Sequence, residues 1–301
     1  MNSNIFMAFA KGGESTEGTV IKRYTGVAPV KILSINPNKA ELEKLFDTTL
    51  ENEPEYIGEI ESNGTKVPFA RVTFVVQPIV DFEVKPISVT LFLRKEYKFN
   101  KDKTKIRVID EFGNVGWATK EECQAHTKLM SKTNKPLKIS TNYRPVYTGE
   151  AELTDFIKAY LFNIPEAFEY VNETWVLKKD AELSIARFEN IDKLFTGDFS
   201  EVKEAISYQP ENKVKVLFGV RKTDEGKLYQ SFYKEMFLKN NVKDYSKLSK
   251  DVQERKNAGA YPNTEFEITD FKEYTVTPTN FEEKVAEDPF ASQPNNPWFN
   301  A

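Results

Sequence analysis

A β-rich α+β fold with helices inserted between hairpins is predicted by three features of the sequence. Runs rich in Val, Ile, Phe and Thr outnumber the segments with helical periodicity. Two pairs of these runs flank short polar turns that are typical of β-hairpins. The helical segments do not alternate regularly with the strands, which argues against a βαβ architecture. We expect a flexible segment at 1–18, one composite domain at 19–278 and a disordered, acidic, proline-rich tail at 279–301.

The first third of the chain is predicted to be mostly strands. Residues 19–36 contain closely spaced apolar side chains, which predict two strands. Residues 39–46 follow an Asn-Pro-Asn turn and place apolar side chains on one side, which predicts a short amphipathic helix. Residues 51–61 are acidic and predict a loop. The strongest strand signals lie at 66–77 and 84–99.

The remainder of the chain is predicted to mix helices with hairpins. Residues 150–161 carry apolar side chains at helical spacing, and we expect this face to lie in the core. A polar turn at 223–226 separates two strand-like runs, which predicts a second hairpin. The other helices are predicted at 119–130, 201–207 and 244–256, and strands at 105–109, 174–177, 213–221, 228–238 and 264–276.

The composition is typical of a soluble globular protein. The 301 residues are 40% hydrophobic and 29% charged, with a formal net charge of -4. No apolar run approaches the ~18 residues that span a bilayer, and residues 1–11 lack the pattern of a signal peptide. The single cysteine, Cys123, excludes an intrachain disulfide framework and fits a reducing compartment.

A basic segment at 94–107, called the basic arm below, is the feature that suggests a function. Alternating side chains, a polar turn at 100–103 and a second alternating run predict that it is a hairpin. Only Glu96 and Asp102 oppose the positive charges of this segment. Its cations are Arg94, Lys95, Lys98, Lys101, Lys103, Lys105 and Arg107.

Aromatic residues accompany these charges. Tyr97 and Phe99 lie within the arm, and Phe112 and Trp117 follow it. Because a single-stranded nucleic-acid binder needs cations for phosphates and ring faces for bases, these four rings are candidates for base stacking. Strand alternation predicts that not all of them face the groove, with Tyr97 and Phe99 on one side of their strand. The alternative is a solvated edge hairpin, in which lysines prevent edge-to-edge aggregation and the rings pack across strands.

The tail combines acidic and apolar residues. Asp288, Pro289 and Phe290 lie in an acidic stretch, and Trp298 and Phe299 follow it. Leaving these rings in water is unfavourable. We therefore expect the tail either to bind another protein as an extended peptide or to fold back on its own domain.

The residues of most catalytic sites are missing. His126 is the only histidine, and with Cys123 it offers two ligands where a structural zinc site takes four. No glycine motif for phosphate or dinucleotide binding occurs. We therefore expect no metal, no cofactor and no enzymatic activity, with a carboxylate-based, metal-dependent nuclease left as an alternative.

Four stretches of the sequence resemble a family of bacteriophage proteins. They are Gly26-Val27-Ala28-Pro29-Val30 with Ile35-Asn36-Pro37, Phe112-Gly113 through Trp117-Ala118, Arg144-Pro145-Val146-Tyr147-Thr148-Gly149-Glu150, and Gly259-Ala260-Tyr261-Pro262-Asn263-Thr264. The family comprises the single-stranded DNA-binding proteins of tailed phages, notably of the crAss-like group. The resemblance covers most of the chain from residue 19 to residue 276.

This resemblance implies an OB-like antiparallel barrel core and sequence-independent binding of single-stranded DNA. It also implies a role in phage DNA replication, recombination and repair in the host cytoplasm, with Asp288-Pro289-Phe290 docking replication proteins. The alternative is a phage structural or virion-associated protein, in which the hairpin is an assembly arm. The sequence leaves open the oligomeric state and the choice between DNA and RNA.

Overall fold

The structure, a computed structural model, describes residues 22–109, 115–119, 122, 127–129, 139–141, 144–161, 168–171, 174–177, 191–207 and 210–275. The predicted flanking segments, 1–18 and 279–301, lie outside these residues. The tail residues Asp288, Pro289, Phe290, Trp298 and Phe299 are therefore not described. The same is true of Phe112, Cys123 and His126.

The described chain is strand-rich and of the α+β class. In chain order its strands are β1 (Tyr24–Ile35), β2 (Ile57–Ser62), β3 (Thr65–Pro78), β4 (Ile87–Tyr97), β5 (Ile106–Ile109), β6 (Val115–Ala118), β7 (Thr127–Leu129), β8 (Ile139–Thr141), β9 (Arg144–Pro145), β10 (Tyr147–Thr148), β11 (Phe168–Val171), β12 (Thr174–Leu177), β13 (Val214–Lys222), β14 (Leu228–Phe232), β15 (Leu238–Lys239), β16 (Thr264–Phe266) and β17 (Lys272–Glu273).

One antiparallel sheet dominates the architecture and curls into a half-barrel. Its main path has the order β10-β4-β3-β1-β13-β14. Strand β2 pairs with β3, β15 and β16 pair with β13, and β17 pairs with β1. Three smaller sheets contain β6-β5-β9, β7-β8 and β11-β12.

The helices pack against this sheet or connect its strands. They are α1 (Lys39–Phe46), α2 (Glu150–Tyr160), α3 (Ser200–Ser207), α4 (Ser246–Asn257) and a 3-10 helix (Ile191–Thr196). Asn38 and Glu41 form a reciprocal capping box at the start of α1, where the sequence predicts an Asn cap. In the part of the chain that the structure describes, no helix is long and apolar enough to cross a membrane.

The main core forms where α2 and α3 meet the inward side chains of β1, β3, β4 and β13. Phe74 of β3 stacks on Phe156 of α2 with ring centroids 4.3 Å apart. Leu153, Ile157 and Tyr160 of the same helix are fully buried. The apolar face predicted for 150–161 is therefore confirmed, and each such side chain contributes about 1.5–3 kcal/mol through burial.

The prediction of two strands at 19–36 is wrong, because β1 is continuous in the described residues. Gly26 has a φ of 108° and lies so close to Asp270 that a Cβ would be 2.6 Å from its carbonyl oxygen. Pro29 lies within the ladder of β1 and β13. A bulge between Ile32 and Ser34 accommodates a shift in the register with β3, so the strand continues without a break.

The loop predicted at 51–61 is wrong in its second half, where β2 begins at Ile57 and pairs with β3. Asn63 and Gly64 connect the two strands with φ angles of 50° and 76°. Positive φ at both central residues is the backbone of a tight hairpin turn.

The helix predicted at 119–130 is wrong at 127–129, which form β7 and pair with β8. Its predicted start has a physical basis, because Thr119 and Glu122 exchange hydrogen bonds as a capping box.

The single strands predicted at 228–238 and 264–276 are each interrupted. The chain turns between β14 and β15 because Tyr233 and Phe237 are buried in two different apolar clusters. Strands β16 and β17 are separate because the first pairs with β13 and the second with β1.

Candidate nucleic-acid interface

The basic arm is a hairpin in the structure, as the sequence predicts. Beyond the end of β4, Phe99 and Ile106 form a bridge. The Arg107 amide donates a hydrogen bond of 2.8 Å to the Lys98 carbonyl. The Asn100 amide donates one of 3.0 Å to the Lys105 carbonyl. The arm therefore continues from a strand of the main sheet into β5.

The turn at the tip of the arm is held by its own side chains. Asn100 accepts a hydrogen bond of 2.9 Å from the Lys105 amide through Oδ1. Asp102 accepts hydrogen bonds from the Thr104 amide at 3.2 Å and from the Thr104 hydroxyl at 2.7 Å. These bonds from Thr104 lower the pKa of the Asp102 carboxyl. Lys103 has a φ of 57°, so the turn is a defined conformation.

Lys101, Lys103 and Lys105 project from this turn and are exposed. Among the described residues, no carboxylate oxygen lies within 4.0 Å of their ammonium groups. The nearby Asp102 carboxylate is engaged by Thr104 instead. The tip of the arm thus presents three lysines without ion-pair partners in the described structure.

The cations at the base of the arm are engaged. Arg94 pairs with Glu96 at 2.9 Å, and Lys95 pairs with Asp192 at 3.0 Å.

Lys98 of the base is 3.5 Å from the mostly buried Glu152. The Arg107 guanidinium lies 5.0 Å from the centroid of the Trp117 ring. Burial lowers the pKa of Arg107, and the carboxylate of Glu152 opposes this effect. Lys95 and Lys98 therefore tie the base of the arm to the body by charge.

The described aromatic candidates are exposed but lie on two faces of the arm. Tyr97 is 47% exposed, Phe99 52% and Trp117 39%. Phe99 pairs with Ile106, whereas Trp117 pairs with the adjacent Arg107. Because side chains alternate along a strand, Phe99 and Trp117 point to opposite faces. Tyr97 shares the face of Phe99.

Tyr147, which sequence reasoning did not select, supports the ring of Tyr97. The two rings stack with centroids 5.0 Å apart and an interplanar angle of 6°. The Tyr147 hydroxyl donates to Asp192 at 3.2 Å. Burial, with help from the neighbouring Tyr97 and Asp192, raises the pKa of Tyr147. One face of the Tyr97 ring is thus covered by a neutral phenol.

The start of α2 fixes the position of Tyr147. Glu150 is fully buried, accepts a hydrogen bond of 2.9 Å from the Tyr147 amide and pairs with Arg144. Burial raises the pKa of Glu150, and Arg144 opposes that shift. Gly149 has a φ of 88° and lies against Phe92 of β4, where a Cβ would be 2.1 Å from the carbonyl oxygen. These contacts fix the positions of β10 and α2 against β4.

A second group of cations and rings, also missed by sequence reasoning, lies between β3 and β4. Phe69 pairs with Arg94, and Arg71 pairs with Phe92. The Arg71 guanidinium lies 4.9 Å from the Phe69 centroid and 6.0 Å from the Phe92 centroid. Burial lowers the pKa of Arg71. The alternation of Phe69, Ala70 and Arg71 along β3 was the local signal in the sequence for this group. It does not reveal that β4 is the partner strand, so the pairing with Phe92 and Arg94 could not be predicted.

Potential metal ligands do not cluster in the described ranges. There, no three His, Cys, Asp or Glu side chains are arranged to hold a metal ion. An open groove borders α4 and is lined mostly by polar side chains, including Asp244, Lys250 and Glu254.

Comparisons with protein families, with curated proteins and with solved structures found no match. Function is therefore inferred from the geometry of the arm and its surroundings.

Proposed function

We propose that the protein is a non-catalytic binder of single-stranded DNA and that the basic arm makes the primary contact. The observation that carries this proposal is the tip of the arm. Three exposed lysines without ion-pair partners in the described structure project from a hydrogen-bonded turn beside two exposed rings. Cations for phosphates next to ring faces for bases are the minimum that such a binder requires.

In this proposal Lys101, Lys103 and Lys105 neutralise consecutive phosphates, while Phe99 and Tyr97 stack on bases on one face of the arm. Tyr97 offers a single ring face, because Tyr147 covers the other. Each base that stacks contributes about 1–3 kcal/mol. Because these contacts read the backbone and the ring faces, binding is largely independent of sequence.

The finer parts of the proposal come from the resemblance to phage single-stranded DNA-binding proteins. They are an OB-like core, action in phage DNA replication, recombination and repair in the host cytoplasm, and partner docking by the tail at Asp288-Pro289-Phe290. The curled antiparallel sheet is compatible with an OB-like core, since such cores are small, partly open barrels.

The first test is a titration of the full chain with labelled oligo-dT and with the matched duplex at two salt concentrations. We expect tight, salt-sensitive binding to the single strand and weak binding to the duplex. The same titration is repeated with the triple substitution Lys101→Ala, Lys103→Ala and Lys105→Ala. Because each phosphate contact on a single strand contributes about 0.7 to the salt slope, losing three should flatten it by about 2.

The matched control removes three exposed lysines of the α4 region, Lys243→Ala, Lys247→Ala and Lys250→Ala. It changes the net charge equally and should leave the salt slope nearly unchanged. No binding at low salt overturns the proposal and favours a phage structural protein. Degradation of the oligonucleotide when magnesium is added would instead favour a nuclease.

A further inference from the structure

Strand β2 is an edge of the main sheet with unusual surface chemistry. Among the described residues its one strand neighbour is β3. Ile57 and Ile60 are 37% and 38% exposed. Residues 51–62, called the acidic edge below, contain five glutamates and no Lys or Arg. An exposed edge offers unpaired backbone groups to another chain unless something covers it.

The glutamates of the acidic edge are weakly compensated. Glu59 lies 3.5 Å from Lys66, and both side chains are exposed. Among the described residues, no cation lies within 4.0 Å of the carboxylates of Glu55 and Glu61. The edge therefore presents negative charge in the same way that the tip of the basic arm presents positive charge.

The acidic edge and the arm lie at the same end of the sheet. Gly58, Phe69 and Arg94 form one row across β2, β3 and β4, so β2 is about 10 Å from β4. The Ser62 hydroxyl donates a hydrogen bond of 2.9 Å to Glu96 at the base of the arm. The two surfaces are therefore close enough on one chain for a single second molecule to contact both.

We infer that the acidic edge is the docking surface for the basic arm of a second copy of this chain. Two copies related by a two-fold axis make the contact twice, with the arm of each on the edge of the other. Such self-complementarity is what a closed dimer requires. The lysines of the tip meet the edge glutamates and carbonyls, and the contact covers Ile57, which shares the strand face of Glu59 and Glu61.

One consequence rests on the proposed function. The lysines that bind phosphates are those that bind the acidic edge, so single-stranded DNA and the second copy compete for the arm. We therefore expect oligo-dT to convert the dimer into DNA-bound monomers. The existence of the dimer does not depend on DNA binding.

The test measures the mass of the full chain by analytical ultracentrifugation at low salt and at about 0.5 M salt, where charges are screened beyond about 4 Å. We expect a dimer at low salt and a monomer at high salt. An edge variant carries Glu55→Lys, Glu59→Lys and Glu61→Lys. An arm variant carries Lys101→Glu, Lys103→Glu and Lys105→Glu.

Each variant alone should be monomeric at low salt, because its arm and edge carry the same sign of charge. An equimolar mixture should form a heterodimer, because both contacts again join opposite charges. This rescue also shows that both variants are folded. A wild-type chain that is monomeric at low salt, or a mixture that does not associate, overturns the inference.

The two proposals fail separately in these experiments. The edge variant keeps its arm, so it should bind oligo-dT at least as tightly as the wild type. A dimer that does not bind oligo-dT would refute the proposed function and leave the arm–edge contact standing. A monomer that binds oligo-dT would refute the arm–edge contact and leave the proposed function standing.

Discussion

The tip and the base of the basic arm have similar composition but different surroundings. At the base, Arg94, Lys95 and Lys98 each have a carboxylate partner, and the Arg107 guanidinium lies over Trp117. At the tip, three lysines extend from a turn whose one carboxylate is occupied by Thr104. The base thus serves attachment of the arm to the body, while the charges of the tip remain available for a ligand. The sequence contains seven cations in this segment but does not distinguish those at the base from those at the tip.

The largest expected effect comes from breaking the attachment at the base with Gly149→Ala. The new Cβ would lie 2.1 Å from the Phe92 carbonyl oxygen at a φ of 88°, so β4 and α2 must separate. We expect the free energy of unfolding to fall by about 4 kcal/mol or more, measured by urea denaturation.

Gly226→Ala is the matched control, because its φ is 80° and a Cβ there meets nothing within 4 Å. It should lower the free energy of unfolding by about 1–2 kcal/mol, because a residue with a Cβ is disfavoured in the left-handed backbone conformation and no steric clash adds to this cost. Equal losses of unfolding free energy for the two variants would show that Gly149 is not in close contact with Phe92.

The next largest effect is a loss of oligo-dT affinity when a ring beside the tip is removed. Phe99→Ala removes a side chain that is 52% exposed, so the stability of the fold should hardly change. Affinity for oligo-dT should fall about 5- to 150-fold, the equivalent of one lost stacking contact. Phe82→Ala, which removes an exposed ring outside the arm, is the control in the same fluorescence titration and should bind normally.

A smaller effect is expected at the base. Lys95→Ala removes the partially exposed pair with Asp192, and such pairs contribute about 0–1 kcal/mol to stability. Because this lysine already has a partner, oligo-dT affinity should change less than with Lys103→Ala at the tip. Equal losses of affinity for the two single variants would contradict the division between base and tip.

The smallest effect concerns pH. Hydrogen bonds from Thr104 lower the pKa of Asp102 below the ordinary aspartate value of 3.8. The stabilisation they provide is therefore fully present above pH 3.8 and is lost only as the pH falls through the lower, folded-state pKa. The NMR shift of the Thr104 amide should stay constant from pH 7 to about pH 4 and change below it. Thr104→Ala should return the Asp102 pKa toward its usual range.

Local patterns predicted the parts of the fold whose partners are close in sequence. The apolar spacing of α2 and the alternation of the arm each specify an element directly. The Asn63-Gly64 turn was an equally local signal for β2, but the glutamates before it favoured a loop. The helix prediction failed at 127–129 because the start signal at Thr119 and Glu122 carries no information on how far a helix extends.

The division between base and tip was not predictable, because it depends on contacts between distant segments. Asp192 and Glu152 reach the arm from elements about 50 to 100 residues further along the chain. Tyr147 supports Tyr97 for the same reason. Nor did the four aromatic candidates reveal that Phe99 and Trp117 face opposite ways, since that depends on the register of β4, β5 and β6.

The hydrogen bonds of the arm tip all join residues 100–105, whereas β1 pairs with β13 across most of the chain, Gly26 opposite Phe218. Closing so long a loop is entropically unfavourable and slow, while a short turn forms within microseconds. We expect the tip to reach its native shape early in folding, before the main sheet closes. During that interval a nascent chain would already display the three lysines of the tip to any polyanion nearby.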